Sequence, residues 1–155
     1  MQRDSFSELI LRSSGSFFMI GPFASPDSLI LVVDDDVTIA TLLCNLFTDS
    51  GFVAAAAYSA EEAFARALTL LPSLILIDVM MPGEHGDKLV QRLQAHPATQ
   101  HIPVALMSSA RPRLVHMSGV PFLPKPFDLE DVVAFVQRHV QLAEVTAHVE
   151  DTPEA

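Results

Sequence analysis

Several side chains that can carry out chemistry on phosphorus follow the apolar runs of this 155-residue chain. Four apolar runs end at, or are followed by, a carboxylate, a hydroxyl or a lysine: Asp34 with Asp35, Asp78, Ser108 and Lys125. Carboxylates brought together in one site repel one another, so such a cluster requires a cation or raised pKa values. Mg²⁺ prefers one or two carboxylates, retained waters and a phosphate oxygen. A carboxylate can also attack phosphorus, and a lysine and a hydroxyl can bind the phosphoryl oxygens.

Each of these features is common when it occurs alone. The aspartates at 34–36 would usually be a solvated loop, and a serine at a strand end is usually a cap. A lysine between prolines is usually just an exposed side chain. Their joint occurrence at successive strand ends is far more specific, and it favours a phosphoryl-accepting carboxylate beside a Mg²⁺ site.

A strand–helix alternation predicts how these side chains come together. Residues 29–33 and 74–77 are continuous apolar runs, typical of strands buried on both faces. Weaker strand patterns occur at 52–58, 104–107 and 122–123. Apolar residues at helical spacing separate most of these runs, which indicates an α/β fold with a doubly wound, five-stranded parallel sheet. In such sheets functional groups gather at the carboxyl ends of the strands.

Capping signals delimit the first two helices. Asp36 is interpreted as a helix-start residue that favours the helix dipole, and Gly51 as the residue that follows the first helix. Ser59 and Glu62 form a capping-box pattern before the second helix, and Pro72 ends that helix.

The composition shifts predict three parts of the chain. Residues 1–28 mix Ser, Gly and Pro with scattered apolar residues and are interpreted as an N-terminal extension. The alternation occupies residues 29–142, which form the expected domain. Residues 143–155 are acidic and contain a proline, so a loose C-terminal tail is predicted there.

Composition and charge exclude several classes of function. The net charge of −10 repels phosphate backbones, so no nucleic-acid partner is expected. The lone cysteine, Cys44, rules out an intramolecular disulfide and a Cys-rich zinc site. No apolar run is long enough to span a bilayer and no secretion signal is visible, so a cytoplasmic location without membrane association is expected.

Residues 29–142 resemble the receiver domain of two-component response regulators. The matching segments are Ile30-Leu-Val-Val-Asp-Asp-Asp36, Leu74-Ile-Leu-Ile-Asp-Val-Met-Met-Pro-Gly-Glu-His-Gly86, Ile102-Pro-Val-Ala-Leu-Met-Ser-Ser109 and Phe122-Leu-Pro-Lys-Pro-Phe127. The pattern Asp-x-x-Met-Pro-x-x-x-Gly, with an upstream acidic pair and a downstream Lys-Pro, is highly specific. The resemblance implies the flavodoxin-like receiver fold, with strand order 2-1-3-4-5.

The resemblance also implies a role for each matching residue. Asp78 is the expected phosphoacceptor, Asp35 the residue that binds Mg²⁺ directly, and Asp34 the one that acts largely through water. The backbone carbonyl of Met80 is the expected third protein ligand of the metal. The remaining matches are Ser108 for the hydroxyl that bonds the phosphoryl group, Lys125 for the lysine that pairs with it, and Phe122 for the switch aromatic, or alternatively a core residue.

The same resemblance implies partners. A histidine kinase or a histidine phosphotransfer protein would supply the phosphoryl group, an unidentified protein would receive the signal, and phosphorylation could drive homodimerisation. No output domain is recognisable, so a stand-alone receiver is expected. Such a protein is not an enzyme beyond its own phosphorylation and dephosphorylation.

The sequence departs from the family between Ser108 and Lys125, where it is several residues shorter than usual. Pro112 and Gly119 fall in this segment, so the fourth helix of the fold is expected to be short or irregular. Because the family often signals through that region, the output surface could differ here.

Two other functions stay open at this point. One is a pseudo-receiver, a binding module whose acids go unused. The other is a phosphatase that forms an aspartyl phosphate, although it would generally need a second acid near the nucleophile. Val79 and Met80 follow Asp78, so the acid expected at the next-but-one position is missing.

Overall fold

A computed structural model of the chain describes residues 28–109 and 119–150, with the side chains of 147–150 excepted. Five strands and four helices occur in this part of the chain: β1 (Leu29–Val33), α1 (Val37–Asp49), β2 (Val53–Ala57), α2 (Ala60–Leu70), β3 (Leu74–Asp78), α3 (Gly86–Ala95), β4 (Val104–Ser108), β5 (Phe122–Pro124) and α4 (Leu129–Glu150). The expected N-terminal extension, apart from residue 28, and most of the expected short helix after Ser108 lie outside the described residues.

The strands form one parallel sheet in the order β2-β1-β3-β4-β5, which confirms the predicted fold class and strand order. Alternate residues of each central strand point to opposite faces. In β1, Leu31 and Val33 pack with α2 and α3, whereas Ile30 and Val32 pack with α1 and α4. Because both faces are covered, the central strands are apolar except at their carboxyl ends, where β3 ends in Asp78 and β4 in Ser108.

Local capping interactions fix where the first two helices begin and end. The Asp36 side chain accepts hydrogen bonds from the amides of Thr38 and Ile39, so its role as a helix-start residue is confirmed. Gly51 has a φ of +95°, the left-handed conformation that favours glycine after a helix. Ser59 accepts a hydrogen bond from the Glu62 amide, as the capping-box pattern predicted.

The last helix is longer than the sequence analysis predicted. We expected a loose tail after Leu142, but α4 continues to Glu150, so that prediction was wrong for residues 143–150. The physical reason is that this stretch contains neither glycine nor proline before Pro153, so nothing stops the helix at Leu142. The acidic composition was misread as a sign of disorder. Among the described residues, no helix is both long and apolar enough to cross a membrane.

Candidate functional site

The sheet order brings the chemically active side chains to one edge of the sheet. Asp34 directly follows β1, Asp78 ends β3 and Ser108 ends β4, and these three strands are neighbours in space. Lys125 directly follows β5, which pairs with β4 through Ser108 and Pro124. The carboxyl ends of parallel strands meet at the same edge, so residues far apart in sequence converge there.

Three carboxylates form the centre of this site, which we call the acidic cluster: Asp34, Asp35 and Asp78. One oxygen from each lies within 4.8 Å of the others. Asp34 and Asp78 are buried, whereas Asp35 is exposed to solvent. The cluster therefore has two carboxylates shielded from solvent and one that is open to it.

Lys125 is the cation that the structure places against the acidic cluster. Its Nζ lies 3.0 Å from Asp34 Oδ2 and 3.4 Å from Asp78 Oδ2. The backbone amide of Lys125 donates a hydrogen bond to the Ser108 carbonyl oxygen at 2.8 Å, which fixes the residue at the end of β4. One ammonium faces three carboxylates, so two negative charges of the cluster remain uncompensated by this lysine.

Asp34 is held rigidly on both sides. Its Oδ1 accepts a hydrogen bond from the Asp36 amide at 2.9 Å, and its Oδ2 pairs with Lys125. Its own amide donates to the Ala57 carbonyl oxygen at the end of β2. Both oxygens of Asp34 therefore already have protein partners.

Each carboxylate oxygen of Asp78 has one partner in the protein. Its Oδ1 accepts a hydrogen bond from the Met80 amide at 3.2 Å, and Lys125 approaches its Oδ2. Burial raises the pKa of the Asp78 carboxyl above its ordinary value, and the nearby Asp34 charge adds to the rise. The Lys125 charge and the Met80 hydrogen bond oppose this shift without cancelling it.

The loop between β3 and α3 passes so close to Asp78 that it requires a glycine at its end. A Cβ on Gly86 would overlap the Asp78 carbonyl oxygen and would lie 2.9 Å from Ile77 Cγ2 and Val79 Cα. The Gly86 amide donates a hydrogen bond to the Val79 carbonyl oxygen at 2.9 Å. The absence of a side chain at Gly86 therefore permits this close approach of the two backbone segments.

Sequence reasoning missed one residue that contacts this loop. The Arg92 guanidinium on α3 pairs with the Glu84 carboxylate in the loop and lies 4.5 Å from the centre of the Phe64 ring on α2. Phe64 also contacts the His96 ring edge-on. Glu84 and Arg92 are eight positions apart, which matches no helical pairing, so no sequence signal identified the contact.

The other predicted site residues lie near the cluster but differ in exposure. Ser108 is buried at the end of β4, one strand away from Asp78. The Met80 side chain is exposed, while its amide bonds to Asp78. Phe122, in β5, is half-buried and packs against the core on the α2 and α3 side.

The donor set of the acidic cluster suits a small, hard cation. All the clustered ligand atoms are carboxylate oxygens, the type that Mg²⁺ and Ca²⁺ prefer. A bound cation would offset the charge that Lys125 leaves uncompensated. The exposed Asp35 leaves the cluster open to solvent, and Mg²⁺ usually keeps several waters.

Comparison with known proteins adds a second line of evidence. Residues 30–137 match the family model described as the response regulator receiver domain. The response regulator PleD of Caulobacter vibrioides is 37% identical over 113 residues, which cover 70% of this chain and 24% of that protein. The transcriptional regulator NtrC of Klebsiella pneumoniae is 31% identical over 115 residues, with the same two coverages of 70% and 24%. The chain thus spans about a quarter of the length of these relatives.

Solved structures agree with the fold. A putative response regulator from Chloroflexus aurantiacus superposes with a TM-score of 0.68 at 28% identity, covering 74% of this chain and 98% of that one. The chemotaxis response regulator CheY4 of Vibrio cholerae has a TM-score of 0.68 at 24% identity, covering 73% and 98% of the two chains. The second similarity supports the fold alone.

Proposed function

Because the chain belongs to the response regulator receiver family, we propose that Asp78 accepts a phosphoryl group in a Mg²⁺-dependent reaction. The observation that carries this proposal is the convergence of Asp34, Asp35 and Asp78 within 4.8 Å. Lys125 Nζ lies 3.4 Å from Asp78 Oδ2, which places a positive charge beside the proposed nucleophile. A carboxylate in this setting can attack phosphorus and form an acyl phosphate.

Asp34, Asp35, Asp78 and the backbone carbonyl of Met80 would hold the metal ion. Both Asp34 oxygens have protein partners, which fits a residue that acts largely through water. Asp35 is exposed, which fits direct ligation. When bound, Mg²⁺ supplies positive charge that neutralises the transferring phosphoryl oxygens.

The phosphodonor would be a phosphohistidine of a histidine kinase or of a histidine phosphotransfer protein. An Asp78 carboxylate oxygen attacks phosphorus, the phosphorus–nitrogen bond breaks, and its electron pair returns to the imidazole nitrogen. Lys125 would then pair with an oxygen of the transferred group. To end the signal, water attacks the phosphorus of the acyl phosphate, and the bond between phosphorus and the Asp78 oxygen breaks. Inorganic phosphate leaves, and the Asp78 carboxylate is restored.

Ser108 and Phe122 would convert the new charge into a change of shape. Ser108 ends the strand next to that of Asp78, at the same edge of the sheet, so its hydroxyl would bond a phosphoryl group attached there. Phe122 is only half-buried, so a further inward movement would bury more of its ring. The new surface would bind a downstream protein or a second copy of the chain.

In this proposal the chain catalyses nothing beyond its own phosphorylation and dephosphorylation, and it acts in the cytoplasm.

Intact mass spectrometry tests the proposal directly. The full chain is incubated with millimolar Mg²⁺ and acetyl phosphate and then weighed. We expect the wild type to gain one phosphoryl group and Asp78→Asn to gain none. Asp36→Asn is the matched control, because asparagine keeps the helix cap while one neighbouring charge is removed.

Each outcome separates the proposal from the alternatives that the sequence left open. A gain that survives Asp78→Asn would contradict the assignment of the acceptor. No gain with this small donor or with a phosphorylated histidine phosphotransfer protein would favour a pseudo-receiver. Rapid release of phosphate from many small esters would favour a phosphatase.

A further inference from the structure

A second concave surface lies at the end of the sheet opposite the acidic cluster. This groove, which we call the distal groove, has a volume of about 800 Å³. It is lined by the amino ends of β3 and β4, by the residues before β5 and by the last turns of α4, including Leu74, Val104, Val120, Pro121, Leu142 and Thr146. None of the described residues that line it is Asp, Glu, Lys or Arg, although the chain has a net charge of −10.

The helix extension that the sequence analysis missed builds one wall of the distal groove. Ala143 and Thr146 belong to this extension and line the groove. Leu142, at the start of the extension, is 57% exposed despite its large apolar side chain. The groove therefore leaves apolar surface in contact with water, and burying such surface is favourable.

The N-terminal segment joins the domain beside this groove. Ser28, directly before β1, is buried, and its hydroxyl donates a hydrogen bond to Glu144 Oε1 at 3.4 Å. The Ser73 amide donates to the Leu29 carbonyl oxygen at 2.8 Å, and the next residue, Leu74, lines the groove. The chain that precedes Ser28 therefore starts next to two of the groove's walls.

The sequence of that segment matches the groove in chemistry and in reach. Residues 13–26 carry no charged side chain, and residues 17–23 read Phe-Phe-Met-Ile-Gly-Pro-Phe. Phe23 lies five positions before Ser28, and five extended residues span about 17 Å. Crossing from β1 to β5 covers three strand spacings, which is about 14 Å. Phe23 can thus reach across the sheet as far as β5.

We propose that residues 17–23 of this chain occupy the distal groove of the same molecule. The segment's aromatic and aliphatic side chains would cover the apolar wall formed by Val120 and Leu142. Neither the segment nor the described lining of the groove contains Asp, Glu, Lys or Arg. The polar lining residues are Gln94, Gln100, His101, His139 and Thr146. Docking would therefore desolvate no carboxylate, ammonium or guanidinium group. Residues 17–23 would then pack on the folded domain, independently of any reaction at Asp78.

Thermal unfolding of full-length variants tests this docking. We compare a triple segment variant (Phe17→Ser, Phe18→Ser, Phe23→Ser), the groove variant Leu142→Arg, and the two combined. We expect each to lower Tm by about 4 °C or more, since buried apolar contacts are lost. The Tm of the combined variant should fall by no more than the larger of the two single decreases, because both changes remove the same contact.

Two matched variants control for effects unrelated to docking. Phe6→Ser changes an aromatic residue of the extension outside 17–23, and Leu42→Arg places a charge at a residue that is 49% exposed on α1. Both should leave Tm unchanged within about 1 °C. Circular dichroism verifies that every variant is folded at the starting temperature.

Other results would overturn the proposal. An unchanged Tm in the segment variant, or fully additive losses in the combined variant, would show that the segment and the groove do not interact. Light scattering on the eluate of a gel-filtration column distinguishes a second copy as the occupant. A wild-type dimer that the segment variant dissociates would place residues 17–23 in the groove of a neighbouring molecule instead.

Discussion

At the scale of single residues, Asp78 combines burial with a neighbouring carboxylate, and both oppose its ionisation. The Lys125 ammonium offsets these two effects only in part. Its Nζ is closer to Asp34 Oδ2, at 3.0 Å, than to Asp78 Oδ2, at 3.4 Å. The fold therefore disfavours the ionised form of the proposed acceptor relative to the unfolded chain. Its pKa is raised, so the folded state binds a proton more tightly than the unfolded chain does, and ionisation of Asp78 costs stability.

We expect Asp78→Asn to be more stable than the wild type at neutral pH without Mg²⁺. The gain should be about 1 kcal/mol, because the uncharged amide avoids the cost of a buried carboxylate while Lys125 keeps Asp34. The cost is fully present above the raised pKa and vanishes below the ordinary value near 4. Urea unfolding at several pH values should therefore show the advantage shrinking as the pH falls. A variant less stable than the wild type at neutral pH would contradict this reading of Asp78.

Gly86 shows a second constraint at the residue scale. We expect Gly86→Ala to lower the free energy of unfolding by about 2–3 kcal/mol, because its Cβ would overlap the Asp78 backbone. Gly83→Ala is the matched control in the same loop. A Cβ at Gly83 would meet no atom within 4 Å, but the backbone φ there is +80°. This variant should therefore lower the free energy of unfolding by only about 1 kcal/mol, through backbone strain. Equal losses measured by urea unfolding would argue against the close approach.

At the scale of elements, the β3–α3 loop is tied to two helices. Glu84 pairs with Arg92 of α3, and the Arg92 guanidinium stacks on Phe64 of α2. The same loop carries Met80, whose amide bonds to Asp78 and whose carbonyl is a proposed metal ligand. Loosening this contact should therefore affect the metal site and not only stability.

We expect Arg92→Ala to weaken Mg²⁺ binding about two- to fivefold. This corresponds to roughly 0.5–1 kcal/mol of binding free energy, lost because the ion pair no longer holds the loop in place. Arg66→Ala is the control, since the Arg66–Glu62 pair has comparable exposure but lies within α2. Calorimetric titration with Mg²⁺ should separate the two variants, although both lose a similar surface ion pair. Equal Mg²⁺ affinities would mean that the loop holds its geometry without Arg92.

At the level of the whole molecule, an acidic chain brings three carboxylates together at a place where their repulsion opposes folding. The chain carries a net charge of −10, and the acidic cluster brings three carboxylates to the edge of the sheet against one lysine. Like charges held together destabilise the compact state. A cation bound there would relieve the repulsion and stabilise the folded domain.

We expect Mg²⁺ to raise the Tm of the full chain by several degrees. A ligand at about 100 times its Kd stabilises a protein by about 2.7 kcal/mol, which is roughly 5–10 °C for a chain of this size. Asp35→Asn should remove most of the shift, because Asp35 is the exposed carboxylate proposed to bind the metal directly. Scans at equal ionic strength with NaCl control for screening. A shift that Asp35→Asn retains would place the cation elsewhere.

The sequence alone predicted most of the elements and the side chains that meet at the acidic cluster. Apolar runs such as residues 29–33 and caps such as Asp36 and Ser59 encode local structure, because burial on two faces and helix ends demand particular residue types. Strand ends then identified Asp34, Asp78 and Lys125 as neighbours. The end of α4 was predicted wrongly, because the acidic composition of residues 143–150 suggested a loose tail. No glycine or proline interrupts the helix before Pro153.

The distances between these residues and their interaction partners depend on how distant segments pack in three dimensions. The pairing of Lys125 with Asp34 across 91 positions depends on strand register, which no local pattern contains. The same holds for Arg92 beside Glu84, and for the backbone contact that makes Gly86 necessary. The distal groove exists only because α4, β4 and the start of β5 meet in space. Local sequence sets torsions and periodicity, whereas packing of distant segments sets charge environments and cavities.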